Sequence, residues 1–150
     1  MTRYSKSHSY RVSKTINAPL KFVYNWCTDY RKDDNELTGS KAQFKILQKT
    51  SRRVIYLRTV KRDERVSIAV KMVSLKPPRA WYLDQVGDDE DAIGVYTLLR
   101  VTPERTRLNM KFTENYKIAN APTKEQDRKQ TGQIWDKYVT ALEKDYASSR

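Results

Sequence analysis

Six segments with strand-like composition follow one another between residues 41 and 116. They are rich in valine, isoleucine, tyrosine, threonine and leucine, which favour β-strands. Turn-forming residues separate them, for example Asp63-Glu64 and Pro77-Pro78. Because a parallel pair would need a crossover of about a dozen residues or more, these short connections predict an antiparallel meander. The approximate bounds of the segments are 41–48, 52–62, 65–75, 79–87, 92–101 and 105–116.

The chain before the meander predicts a first strand followed by a short helix. Residues 1–7 are expected to be a disordered lead, and His8 to Ile16 alternates with Tyr10, Val12 and Ile16 on one face. Asn17-Ala18-Pro19 ends this strand, and Pro19 suits the first turn of a helix that runs to about Asp29. The polar stretch 28–35 predicts either a turn or a second short helix.

A long amphipathic helix is predicted after the meander, from Thr123 to Tyr146. Its apolar side chains fall on a single stripe at helical spacing. Thr123 and Gln126 have the spacing of a capping box, which fixes the start of the helix. Such a stripe requires an apolar surface to lie on. Its apolar members are Ile134, Trp135, Tyr138, Val139, Leu142 and Tyr146.

These elements predict an α+β fold in which a curved seven-stranded antiparallel sheet wraps around the C-terminal helix. The alternating runs Val66-Ile68-Val70-Met72 and Leu108-Met110-Phe112 are expected to form the apolar face that the helix covers. The opposite face is expected to be charged and to meet water. Its predicted members are Ser67, Lys71, Arg107, Asn109 and Lys111.

Length and charge limit the kind of protein. A chain of 150 residues is expected to form a single domain over 1–150. No run of 18 apolar residues and no secretory leader is visible, and the single Cys27 suits a reducing compartment, so cytoplasmic residence is expected. The net charge is +12, and residues 41–79 hold twelve basic residues against two acidic ones. Such a basic stretch favours nucleic acid, anionic lipid or an acidic partner, although no RNA-recognition motif is present.

The order of elements resembles the START-like or helix-grip superfamily, also called SRPBCC. This superfamily contains birch-pollen-allergen-like proteins, steroidogenic lipid-transfer domains and polyketide cyclase/dehydrase-like proteins. The features that match are the strand entering Ile16-Asn17-Ala18-Pro19, the helix leading to Thr28-Asp29-Tyr30, the meander and the helix 123–146, which together cover nearly the whole chain. The plant branch has a glycine-rich loop between its second and third strands, whereas Lys49-Thr50-Ser51-Arg52 has no glycine.

The resemblance implies a cavity between sheet and helix that takes an apolar small molecule or lipid. Aromatic side chains with polar tips, together with adaptable methionines, suit the lining of such a cavity. The alternative for each of them is a plain core position. The predicted ligand-binding residues are Trp26, Tyr30, Phe44, Tyr56, Met72, Trp81, Tyr96, Met110, Trp135 and Tyr138.

The sequence offers few catalytic groups. His8 is the one histidine and is expected on the surface, while Cys27 is expected in the core, so no catalytic triad is indicated. The carboxylates at 29–34 and 88–91 do not have metal-loop spacing and are expected to be solvated, so neither a metal nor a cofactor is predicted. Asp84 would be a buried acid if it pointed inward, but alternation with Trp81 directs it outward.

Three functions therefore stay open. The first is binding of a hydrophobic small molecule or lipid in a cavity under the C-terminal helix. The second is a cyclase- or dehydratase-type enzyme on the same scaffold, which would need an ionisable side chain inside the cavity. The third is binding of nucleic acid or an acidic partner through the basic face of the sheet.

Overall fold

The computed structural model describes residues 3–30, 41–62 and 64–150. Seven strands and two helices lie in this part of the chain, and their order is the predicted one. The second short helix predicted at 28–35 falls mostly within residues 31–40, outside the described residues. The elements are β1 (Lys6–Ile16), α1 (Leu20–Cys27), β2 (Gln43–Lys49), β3 (Arg53–Arg62), β4 (Arg65–Lys76), β5 (Ala80–Gly87), β6 (Glu90–Thr102), β7 (Arg105–Tyr116) and α2 (Lys124–Ser148).

The strands form one antiparallel sheet in the order β1-β7-β6-β5-β4-β3-β2. Consecutive strands from β2 to β7 are neighbours, as a meander requires, and β1 joins the sheet beside the last strand. That pairing runs from Lys6 opposite Tyr116 to Ile16 opposite Thr106. Lys6 and Ser7 are therefore part of a strand rather than of the disordered lead predicted for residues 1–7.

The C-terminal helix α2 begins where the sequence predicts. The Thr123 hydroxyl accepts a hydrogen bond from the Gln126 backbone N–H at 3.2 Å, and the Gln126 side chain accepts one from the Thr123 N–H at 2.8 Å. These two bonds form the predicted capping box. Leu142, near the other end of α2, is buried against the core, so the helix covers the inner face of the sheet.

The closely packed core lies beneath α1 and the C-terminal half of α2. Val23 of α1 and Leu142 of α2 are buried together with Leu98 and Leu108 of the sheet. The Tyr24 ring meets the edge of the Trp81 indole at 5.9 Å. Along β7 the predicted faces are confirmed, because Leu108, Met110 and Phe112 are all buried while Arg107 and Lys111 are exposed.

The predicted faces of β4 are wrong. Val66, Ile68 and Val70 lie on the outer face, with 48%, 44% and 43% of their surface exposed. Ala69 and Val73 face inward, and so does Lys71 between them. Both faces of β4 carry apolar side chains, so alternation alone gives two equivalent solutions. Pairing decides between them, because Val73 lies opposite Val54 of β3 and Leu83 of β5, which belong to the core or pack against it.

Candidate functional site: a cavity between the sheet and the C-terminal helix

A cavity of about 480 Å³ lies between the inner face of the sheet, α1 and α2. This volume falls within the range of known small-molecule sites. Every strand from β1 to β7 contributes to its wall, α1 contributes Trp26 and Cys27, and α2 covers it with residues such as Trp135. The core does not fill this part of the space under α2.

Aromatic rings form one side of the cavity. The Trp81 indole stacks on the Tyr96 ring at 4.9 Å with an interplanar angle of 10°. Trp135 of α2 approaches the same Tyr96 ring at 5.9 Å, and Tyr138 meets Trp135 edge to face at 5.1 Å. Their mutual contacts hold these rings in place, and their outer surfaces line the void.

A second aromatic group lies at the β2 edge of the sheet, and two of its rings belong to β2 and β3 while the third follows α1. Tyr56 of β3 contacts the Phe44 ring at 5.7 Å and the Tyr30 ring at 5.6 Å. All three line the cavity. The cavity is therefore bounded by rings on two sides.

Small residues on β6 leave space at the floor of the cavity. A Cβ atom at Gly94 would lie 3.1 Å from Tyr96 Cε2 and 3.4 Å from Leu83 Cβ and Phe112 Cδ1. Glycine at this position therefore lets the neighbouring rings close over the backbone. Ala92, two residues earlier on the same face, lines the cavity with only a methyl group. A larger side chain at Ala92 would reduce the void, whereas one at Gly94 would press against these covering side chains.

A transverse row of side chains crosses the inner face of the sheet from β1 to β3, and all of its members except Ala92 are polar. Strand pairing places His8 opposite Glu114, Glu114 opposite Ala92 and Ala92 opposite Gln85. Gln85 is opposite Lys71, and Lys71 is opposite Tyr56. We call this line the polar row; its members are His8, Glu114, Ala92, Gln85, Lys71 and Tyr56. All of them except His8 line the cavity.

The acidic end of the polar row is tied to α2 by short hydrogen bonds. His8 Nε2 lies 2.6 Å from Asp127 Oδ2, and the Tyr116 hydroxyl lies 2.8 Å from both carboxylate oxygens of Asp127. The Tyr10 hydroxyl donates to Glu114 Oε1 at 2.8 Å and is bonded to Thr131 Oγ1 at 2.8 Å. Asp127, in the first turn of α2, is buried and joins this helix to β1 and β7.

Burial shifts the pKa values of the side chains at the acidic end of the polar row. It raises the pKa of the Tyr116 hydroxyl, and the hydrogen bond to the Asp127 carboxylate adds to the effect. Burial also raises the pKa of the Glu114 carboxyl, although the hydrogen bond from Tyr10 opposes the change. The Glu114 carboxyl therefore keeps its proton to a higher pH than a solvated glutamate does.

Lys71 is the cation of the polar row. Burial lowers the pKa of its ammonium group to about 8, and the nearby Arg58 guanidinium adds to the effect. The Glu114 carboxylate acts in the opposite direction. No hydrogen bond and no ion pair joins Lys71 to the rest of the described chain (residues 3–30, 41–62 and 64–150). Its amine therefore borders the void without a fixed acceptor.

Solved structures share the fold of this chain. The ZhuI aromatase/cyclase from Streptomyces sp. R1128 gives a TM-score of 0.66 at 13% identity, over 95% of this chain and 94% of that one. A START superfamily protein from Mycobacterium smegmatis gives a TM-score of 0.68 at 13% sequence identity, and the match covers 95% of this chain and 99% of that one. Ara h 8.0201 gives a TM-score of 0.68 at 10% sequence identity, and the match covers 95% of this chain and 99% of that one. The chain has the START-like helix-grip fold.

At 10–13% sequence identity these structural matches establish the helix-grip fold of the chain, but not its function. No protein-family model matches the sequence, and no curated protein does so either. Neither helix in the described part of the chain has the length and apolar content needed to cross a membrane. The function must therefore be argued from the residues around the cavity.

Most of the predicted ligand-binding residues border the helix-grip cavity. Met72 and Met110 do not. Met72 lies on the outer face of β4, opposite Asp84 and Ile55, because the two faces of that strand are exchanged relative to the prediction. Met110 faces inward but is closed into the core. The residues that line the cavity as predicted are Trp26, Tyr30, Phe44, Tyr56, Trp81, Tyr96, Trp135 and Tyr138.

The polar row of the helix-grip cavity was missed, although part of it follows from alternation. His8 stands two residues before Tyr10, and Glu114 two residues after Phe112, both on faces that the sequence assigns to the interior. His8 was expected on the surface, yet it is largely buried at the end of the row. Lys71 could not be found in this way because it was placed on the wrong face.

Other predicted polar residues lie outside the polar row. Asp84 is exposed, as alternation predicts, and Cys27 borders the cavity rather than lying in the closed core. Asp89 is not solvated as expected: it is buried, and its Oδ1 lies 2.7 Å from Arg65 Nη2. Burial alone would raise the pKa of Asp91, but hydrogen bonds from Lys117 and Tyr4 lower it. Within the described ranges no three His, Cys, Asp or Glu side chains form a group that could hold a metal ion.

Proposed function

We propose that this protein binds a hydrophobic small molecule or lipid in the cavity between the sheet and α2. The observation that carries the proposal is a void of about 480 Å³, with aromatic rings on two sides, inside a chain of 150 residues. Transfer of apolar surface from water into such a void is favourable by about 25 cal/mol per Å². A ligand with rings or chains that fit between Trp81, Tyr96 and Trp135 would gain this transfer free energy without any change in the fold.

The polar row would orient the ligand. A molecule with one polar group would place it toward Gln85, Lys71 and Glu114 and its apolar part against the rings. Buried polar groups favour a ligand atom that completes their hydrogen bonds, because an unpaired buried group is costly. The ligand expected here is therefore amphipathic, with a single polar end.

A second candidate is chemistry on the bound ligand. Acid–base catalysis needs an ionisable group inside the cavity, and Glu114 and Lys71 both face it. Asp84, which the sequence suggested as a possible acid, is exposed and therefore cannot act on a ligand in the cavity. Nothing comparable favours nucleic-acid binding, since Phe44, Tyr56 and Trp81 line the cavity and cannot stack on bases from the outer face.

Native mass spectrometry with 2-methylnaphthalene and with decanol tests the binding proposal. Trp26, Trp81 and Trp135 all line the cavity, so occupancy should also change tryptophan fluorescence. We expect one molecule to bind per chain. Ala92→Phe, which fills the floor of the cavity, should weaken binding of these probes at least about tenfold, because a ring placed in the void removes the space the ligand needs.

Leu99→Phe is the matched control, because Leu99 lies on the outer face of the same strand and is exposed. It should leave the affinity unchanged. Failure of both probes to bind the wild-type protein would refute the proposal. Equal affinity of wild type and Ala92→Phe would place binding somewhere other than this cavity.

A further inference from the structure

We propose that Lys71 forms a covalent imine with a carbonyl-bearing ligand held in the cavity. The inference rests on the binding function proposed above and assigns to it a substrate class: hydrophobic aldehydes or ketones. The group that reacts is the Lys71 ε-amine, and the group that provides the proton is the Glu114 carboxyl.

Lys71 is placed where a ligand would meet it. Its strand β4 lies near the middle of the sheet, with Gln85 of β5 on one side and Tyr56 of β3 on the other. The side chain projects into the same void as Trp81 and Tyr96. A carbonyl group carried on an apolar body against these rings would lie in the same cavity as the ε-amine.

The amine is not held by other groups. Lys117 illustrates the usual arrangement, because its Nζ lies 2.8 Å from Asp91 Oδ1 and 2.9 Å from the Gly87 carbonyl oxygen. Lys14 pairs with Asp136 in the same way. Among the residues that the structure describes, no acceptor of this kind reaches Lys71. Its nitrogen can therefore turn toward a ligand without breaking an existing bond.

The surroundings also favour the neutral amine, which is the nucleophilic form. Burial lowers the pKa of Lys71 to about 8, with Arg58 contributing. At pH 7 about one Lys71 in ten would be neutral, whereas an ordinary lysine with a pKa of about 10.4 would be neutral about once in 2,500. Desolvation beside another cation is a known way to activate a lysine nucleophile.

Glu114 would supply the acid for the second half of the reaction. It belongs to the same polar row, and burial raises the pKa of its carboxyl. The Lys71 nitrogen lone pair would attack the carbonyl carbon, and a proton would move from nitrogen to oxygen to give a carbinolamine. Protonation of that hydroxyl by Glu114 would let it leave as water, forming the C=N bond of a protonated imine. The nitrogen proton would then return to the Glu114 carboxylate. Carbonyl and amine thus give imine and water, with no oxidant or reductant.

Other titratable groups on the cavity wall influence the charge of the Lys71 amine. Arg58 on β3 and Glu114 on β7 are the charged side chains that act on Lys71 most strongly. Asp127 is engaged by His8 and Tyr116, and Asp89 by Arg65, so both carboxylates already have cationic or hydroxyl partners. The remaining ionisable wall groups are Glu90, Cys27 and the tyrosines Tyr10, Tyr30, Tyr56, Tyr96 and Tyr138.

Reductive trapping tests the proposal directly. The wild-type protein is incubated at pH 7 with equimolar 2-naphthaldehyde and sodium cyanoborohydride, which reduces an imine to a stable secondary amine, and the adduct is located by peptide mapping. We expect Lys71 to be labelled at least about tenfold faster than exposed lysines such as Lys45. Mapping is required because a terminal α-amino group, with an ordinary pKa of about 7.7–8.0, reacts at this pH.

Two variants complete the experiment. Lys71→Arg keeps the positive charge and should remove the internal adduct, while Lys45→Arg on the exposed side of β2 should leave it unchanged. An excess of 2-methylnaphthalene, which has no carbonyl group, should suppress labelling of Lys71 and spare Lys45. Wild-type mapping decides the matter even if Lys71→Arg fails to fold.

The two proposals fail in distinguishable ways. Labelling spread evenly over surface lysines, or an unlabelled Lys71, would overturn the imine proposal. If 2-methylnaphthalene nevertheless binds by native mass spectrometry, the binding function stands and only the covalent step is lost. If neither 2-methylnaphthalene nor decanol binds and Lys71 is not labelled, both proposals are refuted.

Discussion

The Lys71 ammonium lowers the stability of the fold at neutral pH. Its folded pKa is about 8, whereas an unfolded lysine has a pKa of about 10.4. Between these values the unfolded chain binds more protons than the native one, so the free energy of unfolding rises with pH in that window. Below about pH 8 both states carry the charge and the full penalty of burying it is present.

Replacing Lys71 by methionine should therefore stabilise the protein at pH 7. The shift corresponds to a penalty on the order of 3 kcal/mol, and the advantage of Lys71→Met over wild type should shrink by a similar amount at pH 10. Urea denaturation at both pH values measures the difference. Lys45→Met, at an exposed position on β2, should show no such pH dependence. A constant advantage at both pH values would mean that the Lys71 amine is solvated.

The positions of single residues also show how well the alternation of side chains along a strand predicts which of them face inward. His8 and Glu114 follow from the inner faces of β1 and β7, since each lies two residues beyond an apolar member of its strand. Tertiary contacts then determine their chemistry. Asp127 meets His8 across a separation of 119 residues, and no local pattern relates two residues so far apart.

At the scale of the element, α2 is the part best specified by its own sequence. The spacing of Thr123 and Gln126 predicts its first residue, and both bonds of the capping box are present. The same start fixes the direction in which Asp127 leaves the first turn, toward Tyr116. Local bonds at the cap therefore position one end of the polar network.

Thr123→Ala should lower the free energy of unfolding by about 1 kcal/mol, because the Gln126 N–H loses its acceptor. Chemical denaturation provides the measurement. Thr140→Ala is the matched control: Thr140 is exposed in the middle of α2, and its hydroxyl only donates to the Asp136 carbonyl oxygen. Its effect should stay within about 0.5 kcal/mol. Equal losses for the two variants would show that the capping box adds nothing.

At the scale of the whole molecule, the sheet carries apolar side chains on both faces. Val70 and Val86 lie opposite each other on the outer face, with 43% and 65% of their surface exposed. The inner face at the same strands carries Lys71 and Gln85. The usual contrast between an apolar inner face and a polar outer face is thus reversed across the middle of β4 and β5.

Two truncations on β4 test this orientation. Val73→Ala should cost about 2 kcal/mol of unfolding free energy, since Val73 is completely buried and its loss leaves a void. Val70→Ala, three residues away on the outer face, should cost less than about 0.5 kcal/mol. Thermal and urea unfolding compare the pair. A larger loss at Val70 than at Val73 would restore the orientation predicted from the sequence.

The sequence alone was enough to predict the order of the elements, the α+β fold, the capped helix and most aromatic residues of the cavity wall. These features depend on propensity, periodicity and turn chemistry, which act over a few residues. The tertiary structure decided which face of β4 is inside, and hence that Lys71 shares a polar row with Glu114. Register across six strands sets that row, and register depends on the pairing of whole strands rather than on any one of them.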